Sequence, residues 1–246
     1  SSSSCHSDTA PAILAACSST PPPGRHARPG RPAGYADQSH LSRELSGKVA
    51  VVTGGSRGIG RAIVEELTQR GARVIFSYRD TVPDTGEGVR ADQEDLGSLD
   101  ALFAPVSDGL DILVNNAAIN PGTPIAELTP AEFDRVLAVN TKFPLFAMQR
   151  AGTLLRDQGR IVNVSTLNTV VPAPGHSLYC ASKGALEQLT AVAAREFGPR
   201  GITVNSVSPG STETELFHRT NSPEAVAQAT AFTALGRIGR PADIAR

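Results

Sequence analysis

Three features are scarce in this sequence: cysteine, an excess of charge of one sign, and long hydrophobic runs. The 246 residues include three cysteines, Cys5, Cys17 and Cys180, with neither metal-ligand spacing nor the density of a disulfide framework. The 23 basic and 24 acidic residues leave a net charge of −1, which gives no electrostatic basis for binding nucleic acid or an anionic membrane. The longest apolar stretches have the length of strands. We therefore expect a soluble protein of a reducing compartment, with no metal site and no membrane-spanning segment.

The first 45 residues differ in composition from the rest of the chain. They include a serine run, Ser1–Ser4, and an Arg/Pro/Gly run from Gly24 to Gly34, with no lasting periodicity. Such a segment cannot bury enough apolar surface to fold, so we predict a disordered tail over residues 1–45. Residues 46–246 are long enough for one large domain. The tail is compatible with an organelle transit segment and equally with an untargeted tail on a cytoplasmic protein.

The rest of the chain alternates between apolar strand patterns and helical patterns. This alternation predicts an α/β fold, a Rossmann-like, doubly wound parallel sheet with ligands at the carboxyl ends of its strands. The predicted strands are Lys48–Thr53, Arg73–Tyr78, Gly88–Ala91, Asp111–Asn115, Arg160–Ser165 and Ile202–Val207. The predicted helices are Gly60–Arg70, Leu96–Phe103, Pro130–Arg156 and Tyr179–Phe197.

A glycine-rich turn joins the first predicted strand to the first helix. Gly54 lets the chain turn sharply out of the strand, while Gly58 and Gly60 remove side chains where a pyrophosphate and the sheet approach the start of the helix. Strand, glycine turn and helix together predict a dinucleotide-binding unit.

A tyrosine and a lysine stand four residues apart in the last predicted helix. Residues with this spacing share one face of a helix, so the ammonium of Lys183 is expected to lie beside the phenol of Tyr179 and to favour its ionised form. Such a pair is suited to proton transfer near neutral pH.

The G-x-x-x-G-x-G turn, followed much later by Tyr-x-x-x-Lys, resembles the short-chain dehydrogenase/reductase family. The resemblance covers roughly residues 46 to 246 and extends to carbonyl reductases similar to 3-oxoacyl-acyl carrier protein reductase. It implies an oxidoreductase that moves a hydride between a nicotinamide cofactor and a small carbonyl or alcohol substrate.

Two arginines predict which nicotinamide cofactor is used. The end of the second strand carries Tyr78 and Arg79 where NAD-preferring relatives place an acid, and Arg57 lies in the glycine turn. Two guanidinium groups without a carboxylate favour the 2′-phosphate of NADP(H). The neighbouring Asp80 leaves open that Arg79 only solvates a loop.

The resemblance also implies further cofactor contacts along the carboxyl edge of the sheet. Asp92 matches the acid that contacts the adenine, and the hydroxyl of Thr214 matches one that holds the nicotinamide carboxamide. The full set is Gly54, Ser56, Arg57, Gly58, Ile59, Gly60, Tyr78, Arg79, Asp92, Asn116, Ala117, Tyr179, Lys183, Pro209, Gly210, Thr212 and Thr214.

The family's catalytic tetrad is Asn, Ser, Tyr and Lys. Asn140 matches the Asn that interrupts the long helix and holds a water in a proton relay, and Tyr179 and Lys183 complete the implied acid/base pair. The position of the Ser is occupied by Thr166, one residue after Ser165. Neighbouring strand residues point to opposite faces, so we favour Thr166 and keep Ser165 as the alternative if the strand bulges.

Two departures from the family's pattern affect the expectations. The link between Tyr78 and Val89 is too short for the usual crossover helix, and the chain ends at Arg246, before the final strand. We therefore expect at most a homodimer, through the helices of residues 130–156 and 179–197. A nucleotide-binding protein of this kind with impaired catalysis is the alternative to an active enzyme. An epimerase or dehydratase of the extended type would need a larger carboxyl-terminal domain.

Overall fold

Six strands in the described part of the chain form one parallel sheet. The computed structural model describes residues 44–80 and 85–246. Its strands are β1 Val49–Val52, β2 Arg73–Tyr78, β3 Glu87–Arg90, β4 Leu110–Asn115, β5 Leu155–Val164 and β6 Thr203–Val207. They lie in the order β3-β2-β1-β4-β5-β6. Successive strands are added on one side of β1 up to β3 and on the other side from β4 onward, so the switch point lies between β1 and β4. The predicted Rossmann-like, doubly wound parallel sheet is confirmed.

Eight α-helices connect or follow these strands within the described residues. They are α1 Gly58–Gln69, α2 Ser98–Phe103, α3 Pro130–Leu137, α4 Phe143–Leu154, α5 Ser177–Phe197, α6 Glu215–Thr220, α7 Pro223–Phe232 and α8 Pro241–Ala245. A five-residue π-helix, Ala138–Lys142, joins α3 to α4.

The predicted boundaries need three corrections. The helix predicted over Pro130–Arg156 is broken by the π-helix and ends at Leu154, because the chain already pairs with β4 from Leu155 onward. The second correction concerns the tail predicted over residues 1–45, of which residues 1–43 lie outside the described residues. Leu45 lies inside the domain rather than in the tail, since its N–H donates to the carbonyl of Arg70 at 2.9 Å and its side chain packs against the core. The third concerns the starts of two strands: β5 begins at Leu155 rather than Arg160, and β6 begins at Thr203 rather than Ile202.

Apolar residues fill both faces of the sheet. On one face, Val51 and Leu113 pack with Phe143 and other residues of α4. On the other face, Val52 and Phe76 pack with Val64 of α1 and its neighbours. The central strands are therefore almost continuously apolar, as strands covered on both faces must be. This arrangement leaves the polar ends of the strands as the place for a site.

One buried carboxylate joins three strands at the amino end of the sheet. Asp111 in β4 accepts hydrogen bonds from the backbone N–H of Val49 at 3.0 Å, from Lys48 Nζ at 3.0 Å and from an Arg156 guanidinium nitrogen at 2.6 Å. Burial raises the pKa of Asp111, but these three donors outweigh burial and leave the pKa below its ordinary value. The contact fixes β1, β4 and β5 relative to one another.

We predict that Asp111→Asn lowers the free energy of unfolding by about 2 kcal/mol, because two cations lose their shared partner. Chemical denaturation measures this change. Asp100→Asn is the matched control, since Asp100 pairs with Arg150 in an exposed position, and we expect less than about 0.5 kcal/mol from it. A carboxyl with a lowered pKa stabilises the fold above its unfolded pKa of about 4 and loses that effect as the pH falls. The difference between parent and Asp111→Asn should therefore shrink below about pH 4; a difference that persists there contradicts this account.

Candidate active site

A cavity of about 1100 Å³ opens at the carboxyl ends of the strands. Its wall runs from the glycine turn past the ends of β4 and β5 to the start of α5, and α6 and α7 cover one side. The structure brings together here every residue predicted for catalysis or cofactor binding except Asn140. The site therefore lies at the switch point of the sheet, where doubly wound folds bind ligands.

The glycine turn depends on backbone atoms that almost touch. Gly54 has φ +68° and donates its N–H to Ser77 Oγ at 2.8 Å. A Cβ on Gly60 would lie 2.1 Å from the carbonyl oxygen of Gly54, so no other residue fits there. No side chain caps the start of α1, whose residue before the first turn is Arg57. Its first N–H groups are therefore available to an anion such as a pyrophosphate.

Asn116 holds the glycine turn from the end of β4. Its Nδ2 donates to the carbonyl oxygens of Thr53 at 3.0 Å and Gly54 at 3.1 Å. In return, Thr53 Oγ1 accepts from the backbone N–H groups of Asn116 and Ala117. The side chain of Asn116 thus shapes the predicted cofactor site by positioning its backbone.

Tyr179 and Lys183 lie one turn apart on α5, as predicted. Lys183 is 1% exposed, and its Nζ donates to the carbonyl oxygen of Val164, at the end of β5, at 2.6 Å. Burial lowers the pKa of Lys183 to about 8, and the carboxylate of Glu187 opposes that change. Lys183 is therefore a buried cation held at the end of a strand.

The predicted direction of the tyrosine pKa is wrong for the protein without ligands. Burial raises the pKa of Tyr179, and a hydrogen bond with the Thr166 hydroxyl only opposes the rise. The ammonium of Lys183 donates to the Val164 carbonyl, and it is not among the groups that shift the pKa of Tyr179. Tyr179 is consequently a protonated phenol at neutral pH.

Ser165 and Thr166 point to opposite sides. Ser165 Oγ donates to Glu187 Oε1 at 2.6 Å, and Thr169 Oγ1 donates to the same oxygen at 3.0 Å. The hydroxyl of Thr166, in contrast, accepts from the N–H of Asn168 at 3.2 Å and lies near enough to the Tyr179 phenol to lower its pKa. This geometry favours Thr166 over Ser165 as the hydroxyl that meets a substrate.

Asn140 does not line the cavity. It lies in the π-helix and is fully buried. Its Oδ1 accepts from the N–H of Ile119 at 2.9 Å, and its Nδ2 donates to the Ile119 carbonyl at 2.8 Å and to Ser182 Oγ at 3.0 Å. The Asn140 side chain therefore joins the loop after β4 to α5, and both Nδ2 hydrogens are engaged.

The segment after β6 closes the predicted nicotinamide end of the cavity. The carbonyl of Pro209 accepts from the N–H of Leu167 at 2.9 Å. Thr212 Oγ1 donates to the carbonyl of Gly210 at 2.9 Å, and Thr214 Oγ1 caps α6 by accepting from the N–H of Phe217 at 3.1 Å. These contacts fix the turn, and they engage the Thr214 hydroxyl that was predicted to hold a carboxamide.

Both arginines predicted to bind the 2′-phosphate contact a carboxylate in the structure. Arg57 contacts Glu215 of α6 at 2.7 Å, and Arg79 contacts Asp80 at 2.9 Å. The pair Arg57–Glu215 could not be foreseen because its members are far apart in the sequence. Both pairs are exposed, and exposed pairs contribute little free energy. An anion with stronger bonds can therefore displace the carboxylates.

Three functional candidates were missed by the sequence reasoning. Asn120 and His176 line the cavity as a buried pair, and Glu187 collects the hydroxyls that hold Ser165. His176 precedes Tyr179 by three residues, and that helical spacing was a signal for it. Asn120 carried no comparable signal, because its partner is brought near only by the fold.

Two negative observations concern the described part of the chain. Over residues 44–80 and 85–246, no three His, Cys, Asp or Glu side chains are grouped in a way that could hold a metal ion. In the same residues, none of the helices has both the length and the apolarity needed to cross a bilayer.

Comparison with known proteins assigns the family. Residues 54–246 match the family model described as enoyl-(acyl carrier protein) reductase. The versicolorin reductase StcU of Emericella nidulans is 36% identical over 82% of this chain and 87% of its own length. The 3-oxoacyl-[acyl-carrier-protein] reductase FabG of Vibrio cholerae is 35% identical over 82% of this chain and 88% of its own.

A solved structure agrees with the sequence comparisons. The short-chain dehydrogenase of Burkholderia cenocepacia J2315, in complex with NADP, superposes with a TM-score of 0.77 at 38% identity and covers 82% of this chain and 89% of its own. Fold, glycine turn and Tyr-x-x-x-Lys pair agree with these matches, and the chain belongs to the short-chain dehydrogenase/reductase family of oxidoreductases.

Proposed function

We propose that this protein transfers a hydride between NADP(H) and a small carbonyl or alcohol substrate, with Tyr179 as the general acid/base. The observation that carries the proposal is the meeting of Tyr179, Lys183 and Thr166 in the same cavity as the glycine turn. The proton donor Tyr179 and the buried cation Lys183 thus lie in the same cavity as the glycine turn that is expected to bind a dinucleotide. Sequence relatives that are named reductases support the same reaction type.

The residues present fit a dinucleotide. The start of α1 has no side-chain cap, so its first N–H groups can bind a pyrophosphate, and the cavity continues from there to Tyr179. The complex of the Burkholderia relative with NADP supports the choice of cofactor. When bound, the cofactor supplies or accepts the hydride at its nicotinamide ring.

The protein's own residues supply the proton and hold the reacting oxygen. The protonated phenol of Tyr179 donates to the carbonyl oxygen, which becomes an alcohol oxygen as the carbon gains the hydride. The hydroxyl of Thr166 donates to the same oxygen and stabilises its developing charge. Lys183, largely cationic at neutral pH, stabilises the phenolate that remains. Asn140 acts indirectly, by fixing α5 through Ser182.

NADP(H) rather than NAD(H) is expected from the guanidinium groups near the end of β2. Arg57 and Arg79 both line the cavity, and their carboxylate partners, Glu215 and Asp80, are exposed. A phosphate makes charge-assisted hydrogen bonds with arginine that are stronger than those of an exposed ion pair. We infer that the 2′-phosphate takes the place of these carboxylates.

We predict that the parent binds NADPH at least about tenfold more tightly than NADH, a difference of about 1.4 kcal/mol. Arg79→Asp should narrow or reverse this ratio, because it replaces a cation near the phosphate with an anion. Calorimetric titration with each cofactor measures the ratio. Arg150→Asp, an exposed change on α4 that also removes an ion pair, is the matched control and should leave it unchanged. Equal affinities of the parent for the two cofactors would contradict the assignment.

We also predict that Thr166→Ala lowers kcat by about 100-fold, because it removes a donor to the reacting oxygen. Ser165→Ala should lower kcat less than about fivefold, since its hydroxyl serves Glu187. Steady-state kinetics of the two variants provide the comparison, with thermal melts to verify folding. The opposite order of effects would mean that Ser165 is the substrate hydroxyl.

NADPH oxidation with a panel of carbonyl compounds tests the proposed reaction. The panel should contain aliphatic ketones, β-keto esters and bicyclic aromatic ketones, with the absorbance of NADPH as the readout. We expect substrate-dependent oxidation with at least one of these classes. A chain that binds NADPH tightly and oxidises it with none of them would instead be a nucleotide-binding protein with impaired catalysis.

The organisation of the whole chain completes the proposal. We propose a catalytic domain that extends from about residue 45 to residue 246, preceded by a tail, in a cytoplasmic protein. Exposed apolar side chains on two helices, Leu145 of α4 and Val192 of α5, support self-association of two copies through those helices. Light scattering of the purified chain measures the number of copies.

A further inference from the structure

A second polar pair lines the cavity outside the proposed catalytic group. Asn120, in the loop after β4, and His176, directly before α5, are 6% and 9% exposed. Asn120 Nδ2 and His176 Nδ1 lie 2.6 Å apart. The ring of His176 also meets that of Tyr179 edge-on, with 6.5 Å between the ring centroids. The histidine is therefore held beside the reacting group without belonging to it.

The surrounding hydrogen bonds fix the tautomer of His176. Asn120 Oδ1 accepts the N–H of Gly122 at 3.2 Å, so the amide turns its Nδ2, a donor, toward the histidine. Nδ1 of His176 must then accept, and in a neutral ring the proton is on Nε2. Burial lowers the pKa of His176, which keeps the ring neutral at physiological pH. The result is a single N–H donor with a defined position.

This donor has no partner among residues 44–80 and 85–246. No other described side chain or backbone group hydrogen-bonds Nε2 of His176, and the buried side-chain polar atoms without partners are Asn115 Oδ1 and Ser177 Oγ alone among the described residues. Nε2 is thus not sealed in the core, and His176 lines the cavity. A ligand in the cavity can reach it.

We propose that His176 Nε2–H donates a hydrogen bond to a second oxygen of the substrate, and that the substrate is a ketone with an acceptor oxygen a few bonds from the reacting carbonyl. This inference rests on the proposed function. The reacting oxygen is already held by Tyr179 and Thr166, which leaves His176 for another one. The site should favour ketones with a second oxygen over ketones without one. A ketone that lacks this oxygen shields the His176 N–H from water without accepting its hydrogen bond, and a buried donor without an acceptor costs free energy.

The test compares two ketones of equal chain length. Ethyl acetoacetate carries a second carbonyl oxygen two carbons from the ketone, whereas 2-heptanone carries none. We expect His176→Leu to lower kcat/KM for ethyl acetoacetate by about tenfold, mainly through KM, and to change 2-heptanone less than about twofold. His176→Gln, which keeps a side-chain N–H donor, should recover most of the loss. Thermal melts of all variants verify folding.

The outcomes separate this inference from the proposed function. Equal losses for both ketones, or no loss for either, would overturn the role of His176 while the reductase activity stands. A parent that reduces neither ketone would overturn the proposed reaction for these substrates and the role of His176 with it. Nitrogen-15 NMR gives a readout independent of activity. The signals of His176 are those that disappear in His176→Gln. We expect them to show a protonated Nε2 and an unprotonated Nδ1, and the opposite tautomer would also overturn the inference.

Discussion

The close approach of α1 to the glycine turn is the constraint on which the site depends. Only the absence of a side chain at Gly60 lets the helix start within contact of the Gly54 carbonyl. Asn116 then binds that carbonyl and the one before it, which links the turn to β4 and so to the switch point of the sheet. The floor of the cavity, its anion-binding helix start and its position over the strands all follow from this packing.

One residue of the proposed catalytic group, Lys183, lowers the stability of the fold. Lys183 is a cation in a nearly solvent-free position, with the Val164 carbonyl as its hydrogen-bond partner and Glu187 as a nearby carboxylate. A lysine whose pKa is lowered by burial opposes folding below that pKa, and the opposition fades between about pH 8 and its ordinary pKa of 10.5. Functional sites commonly carry such locally unfavourable groups, supported by the rest of the fold.

The sequence predicted the sheet and the general location of the site well, because both depend on local patterns. Apolar runs located all six strands, although β5 begins five residues before its predicted start. The glycine turn and the Tyr179–Lys183 pair, both recognised by their spacing, line one cavity. The choice of Thr166 over Ser165 stays a prediction: both residues lie just beyond the end of β5, and the hydroxyl of Ser165 donates to Glu187.

The sequence failed where long-range contacts decide the outcome. Arg57 was expected to be free, yet the fold brings Glu215 to it from the far end of the chain. The pKa of Tyr179 was expected to fall, but burial by distant segments raises it. None of these contacts leaves a periodic signal, so pattern reasoning could not find them.

The most direct test of the central claim is a paired measurement on Tyr179→Phe, which removes one hydroxyl and keeps the ring. The account predicts that NADPH binds within about twofold of the parent, whereas turnover with any ketone the parent reduces falls by at least about 1000-fold, because the hydroxyl serves the chemistry and not the binding of the cofactor. Turnover close to that of the parent would show that another group supplies the proton. That result would contradict the assignment of Tyr179 as the general acid/base.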